Sequence, residues 1–297
     1  MSHVAFIGVG AMGLGMAARL AASGQKVVAY DVSPEALARA SAAGCEAAGS
    51  AAEAVRGASI VVTMLATGAQ VAAIYAETVI PNAEPGALVV DCSTIDPDVE
   101  RAQHTRVSDT GARYLDAPLS GGSAGAQKGV LTLMVGGDAS TLADVEPALT
   151  PFAGLIVHVG GPGMGQVVKL CNNLIYAAQM TATAEATALA VKSGVDMEKL
   201  YEVITHSSGD CVAVRTRLPV AGVVPDSPAS NNWEPGFMTD LMAKDLDLAL
   251  AYGARTGVPL ATTATARQML TAAHSAGFGR EDFSAVAKVV LALSGAQ

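Results

Sequence analysis

Charged and aromatic residues are scarce in this sequence. Of its 297 residues, 15% are charged and 4% aromatic, whereas 51% are apolar; about 25% charged is typical of globular domains. The scarcity of charge, together with abundant Ala and Gly, indicates extensive helix burial or a subunit interface. We therefore expect a homodimer or homotetramer. A chain of this length has room for two domains.

Basic clusters, cysteine pairs and long apolar runs are also missing. The formal net charge of −9 argues against nucleic acid as a partner. The four cysteines form no Cys-x-x-Cys pair and no histidines stand at metal-ligand spacing, so neither a metal nor a disulfide framework is expected. Apolar stretches stop short of a membrane span, and no signal-peptide pattern opens the chain. These absences predict a cytoplasmic protein without a membrane partner.

Residues 3–31 carry the most specific pattern of the N-terminal half. A short apolar strand leads into Gly8-x-Gly10-x-x-Gly13, then a helix pattern, then a second strand ending at Asp31. Gly8 permits a tight turn, Gly10 lets a pyrophosphate approach the backbone, and Gly13 lets the helix pack on the strand. Any α/β protein can contain a glycine-rich turn, but this context favours a dinucleotide site. We assign cofactor binding to Gly8, Gly10, Ala11, Met12 and Gly13.

Asp31 bears on which dinucleotide binds. A carboxylate at the end of the second strand accepts hydrogen bonds from the adenosine ribose hydroxyls and repels a 2′-phosphate. The next basic residue, Arg39, is two helical turns away. The sequence therefore predicts NAD rather than NADP. The alternative is that Asp31 forms a strand-end turn or cap before Ser33-Pro34.

Further strand patterns occur at residues 60–65, 87–91, 113–117, 131–135 and 155–159. Together with the first two, they predict an α/β fold, a Rossmann-type doubly wound sheet. Ligands on such sheets lie beyond the carboxyl ends of the strands, so Leu65, Ala66 and the Ser93-Thr94 pair are expected near the cofactor. Ser93-Thr94, followed by Asp96-Pro97, fits a helix N-cap equally well.

The second half has helix patterns only. They cover residues 166–193, 198–206, 237–255, 264–275 and 283–293, and a Pro-rich irregular segment spans 207–235. We therefore predict a Rossmann domain at residues 1–163 and an all-α domain for substrate binding and oligomerisation at residues 164–297.

Lys169 is the only formally charged residue between Glu146 and Glu185. A lone ammonium in an apolar helix costs several kcal/mol unless it is paired or neutralised. Asn172 and Asn173 share its helical face, and Tyr176 follows one turn later. An amine beside two amides suits proton transfer to a substrate hydroxyl. The alternative is that Lys169 extends to solvent near the helix start.

Two other segments also have both a functional and a purely structural interpretation. Lys244 shares an apolar helix face with Leu241 and Leu248, and Asp240 offers it an ordinary helix ion pair. Ser120, Gly121 and Gly122 directly follow a strand, where backbone N–H groups can bind a carboxylate. A plain turn would have the same composition.

Several of these segments together resemble the β-hydroxyacid dehydrogenase family. They are FIGVGAMGLGMAARL, DCSTIDP, DAPLSGGSAGAQKGVLTLMVGG, GMGQVVKLCNN and LMAKDLDLA, in family order and nearly end to end. The loop PVAGVVPDSPASNNWEPGF is similar to that of the 3-hydroxyisobutyrate dehydrogenase subgroup. The chain departs from the usual pattern at Ala66, where the family has proline, and at Val212, where the subgroup has tryptophan. The Val212 departure bears on the substrate pocket.

The resemblance implies roles for particular residues. Lys169 would be the general acid/base, Asn173 would hold the reacting oxygen, and the turn of Ser120, Gly121 and Gly122 would bind the substrate carboxylate. The cofactor would be contacted by Leu65, Ala66, Gln70, Thr94 and Lys244.

The implied reaction is NAD-dependent oxidation of 3-hydroxyisobutyrate to methylmalonate semialdehyde, a step of valine catabolism. The alternatives within the family are a tartronate semialdehyde or glyoxylate-type reductase and a 3-hydroxypropionate dehydrogenase. A non-catalytic dinucleotide sensor is disfavoured, because a sensor needs no proton carrier. Imine reductases share the architecture but usually lack a lysine at the position of Lys169.

Overall fold

The computed structural model describes residues 3–295, which fall into two compact units divided between Lys169 and Leu170. The domain boundary expected at residues 163 and 164 stays a prediction. Within the described residues the first unit holds nine strands, listed in chain order: β1 His3–Ile7, β2 Val27–Tyr30, β3 Glu46–Ala47, β4 Ala58–Thr63, β5 Leu88–Asp91, β6 Arg113–Asp116, β7 Leu119–Ser120, β8 Leu131–Gly137 and β9 Ala153–Gly160.

Helices connect these strands. In chain order they are α1 Gly13–Ala22, α2 Pro34–Ala42, α3 Ala51–Val55, α4 Gly68–Ile74, α5 Ile80–Asn82, α6 Pro97–Ser108, α7 Gly122–Lys128 and α8 Ala139–Leu149. A π-helical turn, Tyr75–Val79, joins α4 to α5, and a 3-10 turn, Thr150–Phe152, follows α8.

The nine strands form one sheet. Eight of them follow the order β3-β2-β1-β4-β5-β6-β8-β7, and β9 lies outside this order and pairs with β8. Neighbours from β3 to β6 are parallel, and β8 runs antiparallel to both β6 and β7. The parallel part has the 3-2-1-4-5-6 order of a dinucleotide-binding fold. The predicted fold class is confirmed. Because strand order reverses between β1 and β4, a ligand crevice is expected beyond their carboxyl ends.

Apolar side chains cover both faces of the sheet, as a parallel sheet requires. Val4 and Phe6 of β1 pack in one cluster with Met16 of α1, whereas Ala5 and Ile7 pack in the cluster on the opposite face. All five side chains are 5% exposed or less. Because β1 is buried on both faces, it fixes the glycine turn that follows it at the carboxyl end of the parallel strands.

The remaining chain is helical. It contains α9 Met164–Lys192, α10 Met197–Thr205, α11 Val212–Arg217, α12 Thr239–Thr256, α13 Ala261–Ala273 and α14 Val286–Ser294, with a π turn at His274–Phe278 and 3-10 turns at Pro228–Ser230 and Phe283–Ala285. Helix α9 begins in the first unit and continues into the second. The core of the second unit contains Met180, Met242, Leu246, Leu270 and Phe283.

The main difference from the predicted secondary structure lies between residues 207 and 235. The sequence predicts irregular structure there, but α11 and a 3-10 turn form within it. Arg217 at the end of α11 is held by Asp282, at 3.1 Å, and by Tyr176. Because these partners are 65 and 41 residues away in the sequence, no local pattern predicts the helix. The two-residue strands β3 and β7 were also missed.

Among the described residues, no helix combines the length and the apolar character needed to cross a bilayer.

Candidate active site

The turn after β1 needs its three glycines for three different reasons. Gly8 has φ +94°, and a Cβ there would lie 2.3 Å from the Met64 carbonyl oxygen. A Cβ on Gly13 would lie 2.0 Å from the Gly8 carbonyl oxygen, so α1 packs this closely only without a side chain. A Cβ on Gly10 would meet nothing within 4 Å. Gly10 therefore leaves open the space that a dinucleotide phosphate occupies in this fold.

Helix α1 begins without a side chain that neutralises its positive end. Met12 is the N-cap residue and makes no side-chain cap hydrogen bond, and the first turn contains no acidic residue. The first N–H groups of a helix lack intrahelical partners and carry partial positive charge. Ala11 beside this end is exposed. The turn and the helix end together fit the pyrophosphate of a dinucleotide.

Asp31 follows β2 and is held by two backbone N–H groups. Its Oδ2 accepts from Val9 at 2.9 Å, and its Oδ1 accepts from Ser33 at 2.9 Å. The Ser33 contact makes Asp31 part of a turn, as the alternative interpretation held. The N-cap of α2 is Ser33 itself, which accepts from Ala36 at 3.2 Å. The partly exposed Asp31 carboxylate is therefore oriented beside the glycine turn.

The segments that follow β4 and β5 are joined by hydrogen bonds. The Leu65 N–H donates to Ser93 Oγ at 2.8 Å, and Ser93 Oγ donates to Asp91 Oδ1 at 2.6 Å. Because β4 and β5 are parallel neighbours, Leu65 and the partly buried Thr94 lie at the same edge of the sheet. This is the arrangement expected of two cofactor contacts.

The N-cap of α6 is Asp96, whose Oδ1 accepts the Asp98 N–H at 2.8 Å. The alternative that Ser93-Thr94 forms this cap is therefore wrong. Gln70 has a structural role of its own. Its Oε1 accepts the N–H groups of Ala66 and Thr67, each at 3.2 Å, and so completes a capping box at the start of α4. Cofactor contacts of Ala66 and Gln70 stay predictions.

Gln166 was missed in the sequence analysis. Its side chain is fully buried; Nε2 donates to the Ser93 carbonyl oxygen at 2.9 Å, and Oε1 accepts the Ile95 N–H at 3.1 Å. Gln166 thus fixes the residues on both sides of Thr94 from the first turn of α9. A carboxamide three residues before Lys169 in an apolar helix was the available signal.

Asp116 was missed as well. It ends β6 and caps the start of α9: Oδ1 accepts the Gly163 N–H at 2.8 Å, and Oδ2 accepts the Gln166 N–H at 3.2 Å. Burial raises the pKa of Asp116 to about 6, against the opposing effect of these backbone hydrogen bonds. A Cβ on Gly165 would lie 2.6 Å from Asp116 Oδ2, so glycine is needed where the carboxylate approaches the helix.

Lys169 lies in the second turn of α9 and is 7% exposed. The alternative in which Lys169 extends into solvent is therefore wrong. Lys169 lies on a helix whose start is fixed by Asp116 and Gln166. A buried amine is the form of lysine that most readily serves in proton transfer.

Asn173 lies one helical turn after Lys169 and is 2% exposed. Its Nδ2 donates to Asp245 Oδ2 at 2.6 Å, and its Oδ1 accepts from Asn172 Nδ2 at 3.0 Å. These bonds fix which way the Asn173 amide points. Asp245, on α12, was not singled out from the sequence; its position next to Lys244 in a helix was the only signal.

Lys244 is placed differently from the prediction. The buried face of α12 is carried by Met242, Leu246 and their helical neighbours, whereas Leu241 is 39% exposed. Lys244 is partly exposed, and its Nζ lies 3.0 Å from Asp245 Oδ1 in an ion pair without hydrogen-bond geometry. Asp240, the expected partner, pairs with His274 at 2.7 Å. The expected position of Lys244 on the apolar face is wrong.

The predicted carboxylate turn joins β7 to α7. Gly121 has φ +135° and Gly122 φ +65°, and Gly121, as N-cap, supplies no side chain to the helix start. A Cβ on Gly121 would lie 2.8 Å from Leu131 Cδ2. Both glycines are thus required by backbone conformation, and Ser120, which ends β7, is partly exposed beside them.

Two family descriptions match the chain. Residues 3–160 match the NAD-binding domain of 6-phosphogluconate dehydrogenase. Residues 163–290 match the family described as NAD-binding of NADP-dependent 3-hydroxyisobutyrate dehydrogenase.

Similar proteins match nearly end to end. A probable 3-hydroxyisobutyrate dehydrogenase of Mycobacterium tuberculosis is 45% identical over 96% of this chain and 97% of its own length. An NAD-dependent L-serine dehydrogenase of Pseudomonas aeruginosa is 40% identical over 97% and 98%. A solved M. tuberculosis 3-hydroxyisobutyrate dehydrogenase with L-serine superposes with a TM-score of 0.92 at 43% identity, over 98% of this chain and 99% of that one.

Sheet order, glycine turn and matched families define an NAD-dependent oxidoreductase. The cofactor is NAD, and the second unit is the helical domain that accompanies this sheet in the relatives. The chain belongs to the β-hydroxyacid dehydrogenase family and is most like its 3-hydroxyisobutyrate dehydrogenases.

Proposed function

We propose that this protein oxidises 3-hydroxyisobutyrate to methylmalonate semialdehyde, with Lys169 as the general base. The observation that carries the proposal is the burial of Lys169, 7% exposed, in a stretch without another formal charge from Glu146 to Glu185. The names of the M. tuberculosis relatives support the substrate. The reaction would serve valine catabolism.

When bound, NAD⁺ supplies the hydride acceptor. In our proposal Lys169 Nζ, as the neutral amine, accepts the proton of the substrate hydroxyl while the carbon that bears this hydroxyl gives up hydride. The Asn173 amide, oriented by Asp245, holds the reacting oxygen. In the reverse direction Lys169 begins as the ammonium and returns the proton to the oxygen.

The turn of Ser120, Gly121 and Gly122 is our candidate for binding the substrate carboxylate. Consecutive backbone N–H groups in a turn with positive φ form a concavity that suits anions. The two positive φ values and the missing side-chain cap on α7 support this assignment. Binding through backbone groups selects for a carboxylate and leaves the C2 substituent to be recognised elsewhere.

L-Serine is a second candidate substrate. It shares the carboxylate and the primary 3-hydroxyl with 3-hydroxyisobutyrate, and it carries an amino group where the other acid has a methyl group. The P. aeruginosa relative named for L-serine, and the solved relative that contains L-serine, favour its inclusion. The same proton and hydride transfers would apply.

Initial rates of NADH formation test the substrate. We expect kcat/KM to be highest for 3-hydroxyisobutyrate among 3-hydroxyisobutyrate, L-serine, 3-hydroxypropionate and glycerate, each with saturating NAD⁺. Because one methyl group is worth about 1–3 kcal/mol in a fitted pocket, the margin over 3-hydroxypropionate should be about tenfold or more. A higher value for L-serine would move the assignment to the second candidate. No turnover of any acid by protein that binds NADH would favour a sensor.

The proposal also includes a homodimer or homotetramer. Helix α9 carries a seam of exposed apolar side chains, Val168, Ile175 and Leu189, at heptad-related positions, as in helices that pair with another helix. Within it, Val168, Ile175 and Leu189 are 38%, 53% and 70% exposed. The low overall charge supports a second copy as the occupant of this face.

The double variant Ile175→Glu, Leu189→Glu is expected to lower the oligomeric state measured by size-exclusion chromatography with light scattering. Charges on the seam would have to be buried against the partner helix. Leu155→Glu is the matched control, because Leu155 is 53% exposed but lies on β9. An unchanged mass for the α9 variant, or a loss of assembly in the control alone, would contradict this interface.

A further inference from the structure

Two carboxyl groups are in contact inside the first unit. Asp91, at the end of β5, and Glu100, on α6, are both 0% exposed, and each side chain shifts the pKa of the other through a direct side-chain interaction. No N–H or O–H group of the described residues donates to Asp91 Oδ2 or Glu100 Oε2. A hydrogen bond between two carboxyl groups requires one proton, which satisfies both oxygens at once.

The other hydrogen bonds decide which group holds the proton. Asp91 Oδ1 accepts from Thr63 Oγ1 at 2.7 Å, from Ser93 Oγ at 2.6 Å and from the Ser93 N–H at 3.1 Å. Glu100 Oε1 accepts only from Tyr114 Oη, at 2.7 Å, among the described residues. Three donors favour the carboxylate form of Asp91, which leaves Glu100 as the acid whose Oε2 donates to Asp91 Oδ2.

The surroundings of the pair also favour a neutral Glu100. Burial raises the pKa of Glu100 well above its usual value, and the charges of Asp91 and Asp116 raise it further. The titratable groups that face the pair are Tyr75 from the π turn, Cys92 beside Asp91, Tyr114 and Asp116 from β6, and His104 of α6, whose ring packs on Tyr114. These groups are acidic or neutral near pH 7, so none of them replaces the shared proton.

The pair is connected to the proposed cofactor contacts. Asp91 receives the Ser93 hydroxyl, and the Ser93 hydroxyl oxygen accepts the Leu65 N–H at 2.8 Å. Glu100 lies on α6, which begins at Pro97 soon after Thr94, so its interaction with Asp91 links α6 to the end of β5. A proton shared by Glu100 and Asp91 would complete one hydrogen-bonded series from Tyr114 through Glu100, Asp91 and Ser93 to the backbone at Leu65.

We propose that Asp91 and Glu100 share one proton and act as positioning residues for the two cofactor-binding segments after β4 and β5. Neither touches the reacting atoms; they fix Leu65 and Thr94 through Ser93. The inference rests on the proposed cofactor contacts of Leu65 and Thr94. It assigns a role to two buried acids that the proton transfer by Lys169 does not use.

Fluorescence titration with NADH across pH, without substrate, tests the proposal. In the wild type, loss of the shared proton places two carboxylates in contact, so NADH affinity should fall as the pH becomes alkaline. Glu100→Gln keeps a donor to Asp91 and an acceptor for Tyr114 and has no proton to lose. We expect its affinity at pH 7 to match the wild type and its alkaline decline to be absent.

Glu100→Leu fills the space without a donor and leaves Asp91 Oδ2 unpaired. We expect it to raise the NADH dissociation constant about tenfold or more at pH 7, the size of losing a hydrogen bond to a charged group. Tyr114→Phe is the matched control, because it keeps the shared proton and should keep the alkaline decline. Thermal melts by circular dichroism would verify that each variant is folded.

Equal pH dependence in the wild type and Glu100→Gln, or wild-type NADH affinity in folded Glu100→Leu, would overturn the proposal. A protein that binds NADH with the expected pH dependence but does not oxidise 3-hydroxyisobutyrate would contradict only the proposed substrate. The two failures are therefore distinguishable.

Discussion

Lys169→Met is expected to lower kcat for oxidation of 3-hydroxyisobutyrate about a thousandfold, within the range that a positioned general base contributes. Methionine is unbranched like lysine, lacks the ammonium and suits a site that is 7% exposed, so the fold should be retained. The dissociation constant of NADH should change little. Stopped-flow or steady-state NADH absorbance measures the first quantity, and fluorescence titration measures the second.

The matched control for this variant is Lys192→Met on the same helix. Lys192 lies in the last turn of α9, away from the proposed chemistry, and its Nζ donates to the Ser294 carbonyl oxygen. This variant should keep wild-type kcat. The pH profiles add an independent measurement. Oxidation needs the neutral amine and reduction needs the ammonium, so the oxidation rate should rise with pH while the reduction rate falls. Identical profiles in both directions, or a Lys169→Met enzyme with normal kcat, would exclude Lys169 as the proton carrier.

The double variant Asp31→Asn, Val32→Arg is expected to shift the ratio of kcat/KM for NAD⁺ over NADP⁺ about a hundredfold toward NADP⁺. Removing the carboxylate takes away an acceptor for the ribose hydroxyls and the repulsion of a 2′-phosphate, and an adjacent arginine can bind that phosphate. The shift corresponds to about 3 kcal/mol, the size of one or two hydrogen bonds to a charged group. Initial rates with each cofactor give the ratio.

Val32→Arg alone serves as the comparison for this pair. Val32 is 88% exposed, so the substitution should leave the fold intact and produce only the smaller part of the shift. Asp31→Asn keeps one oxygen, so it retains an acceptor for only one of the two N–H groups, those of Val9 and Ser33, that now donate to separate oxygens. An unchanged cofactor ratio in the double variant would mean that Asp31 acts only in the turn with Ser33.

The glycine turn and its strand–helix setting could be predicted because each depends on a short stretch of chain. Gly8 is required by its own positive φ, Gly13 by its contact with the Gly8 carbonyl oxygen, and Gly10 leaves the surface of the turn open. Lys169 stood out for a similar reason, since the absence of other charges is visible in the sequence alone.

Residues that support the site escaped prediction because their partners are remote. Gln166 bonds Ser93 across 73 positions, and Asp116 bonds Gly163 across 47. A sequence pattern covers a few helical turns at most, so it detects neither pairing. The same limit applies to the alternative ion pair of Lys244: spacing offered Asp240 as the partner, whereas Asp240 pairs with His274 in the π turn after α13.

Helix α9 passes without interruption from one compact unit into the other, and the division between the units falls directly after Lys169. In evolutionary terms, a crossover at that division would exchange Lys169 and Asn173 between different parents, although the two belong to consecutive turns of one helix. Recombination that keeps Lys169 and Asn173 together must instead join the parents before Gly163, whose N–H is bound by Asp116, or well beyond Asn173. The stretch that carries the proposed proton transfer is therefore offset from the compact units, and chimaeric enzymes built from relatives should be joined away from that division.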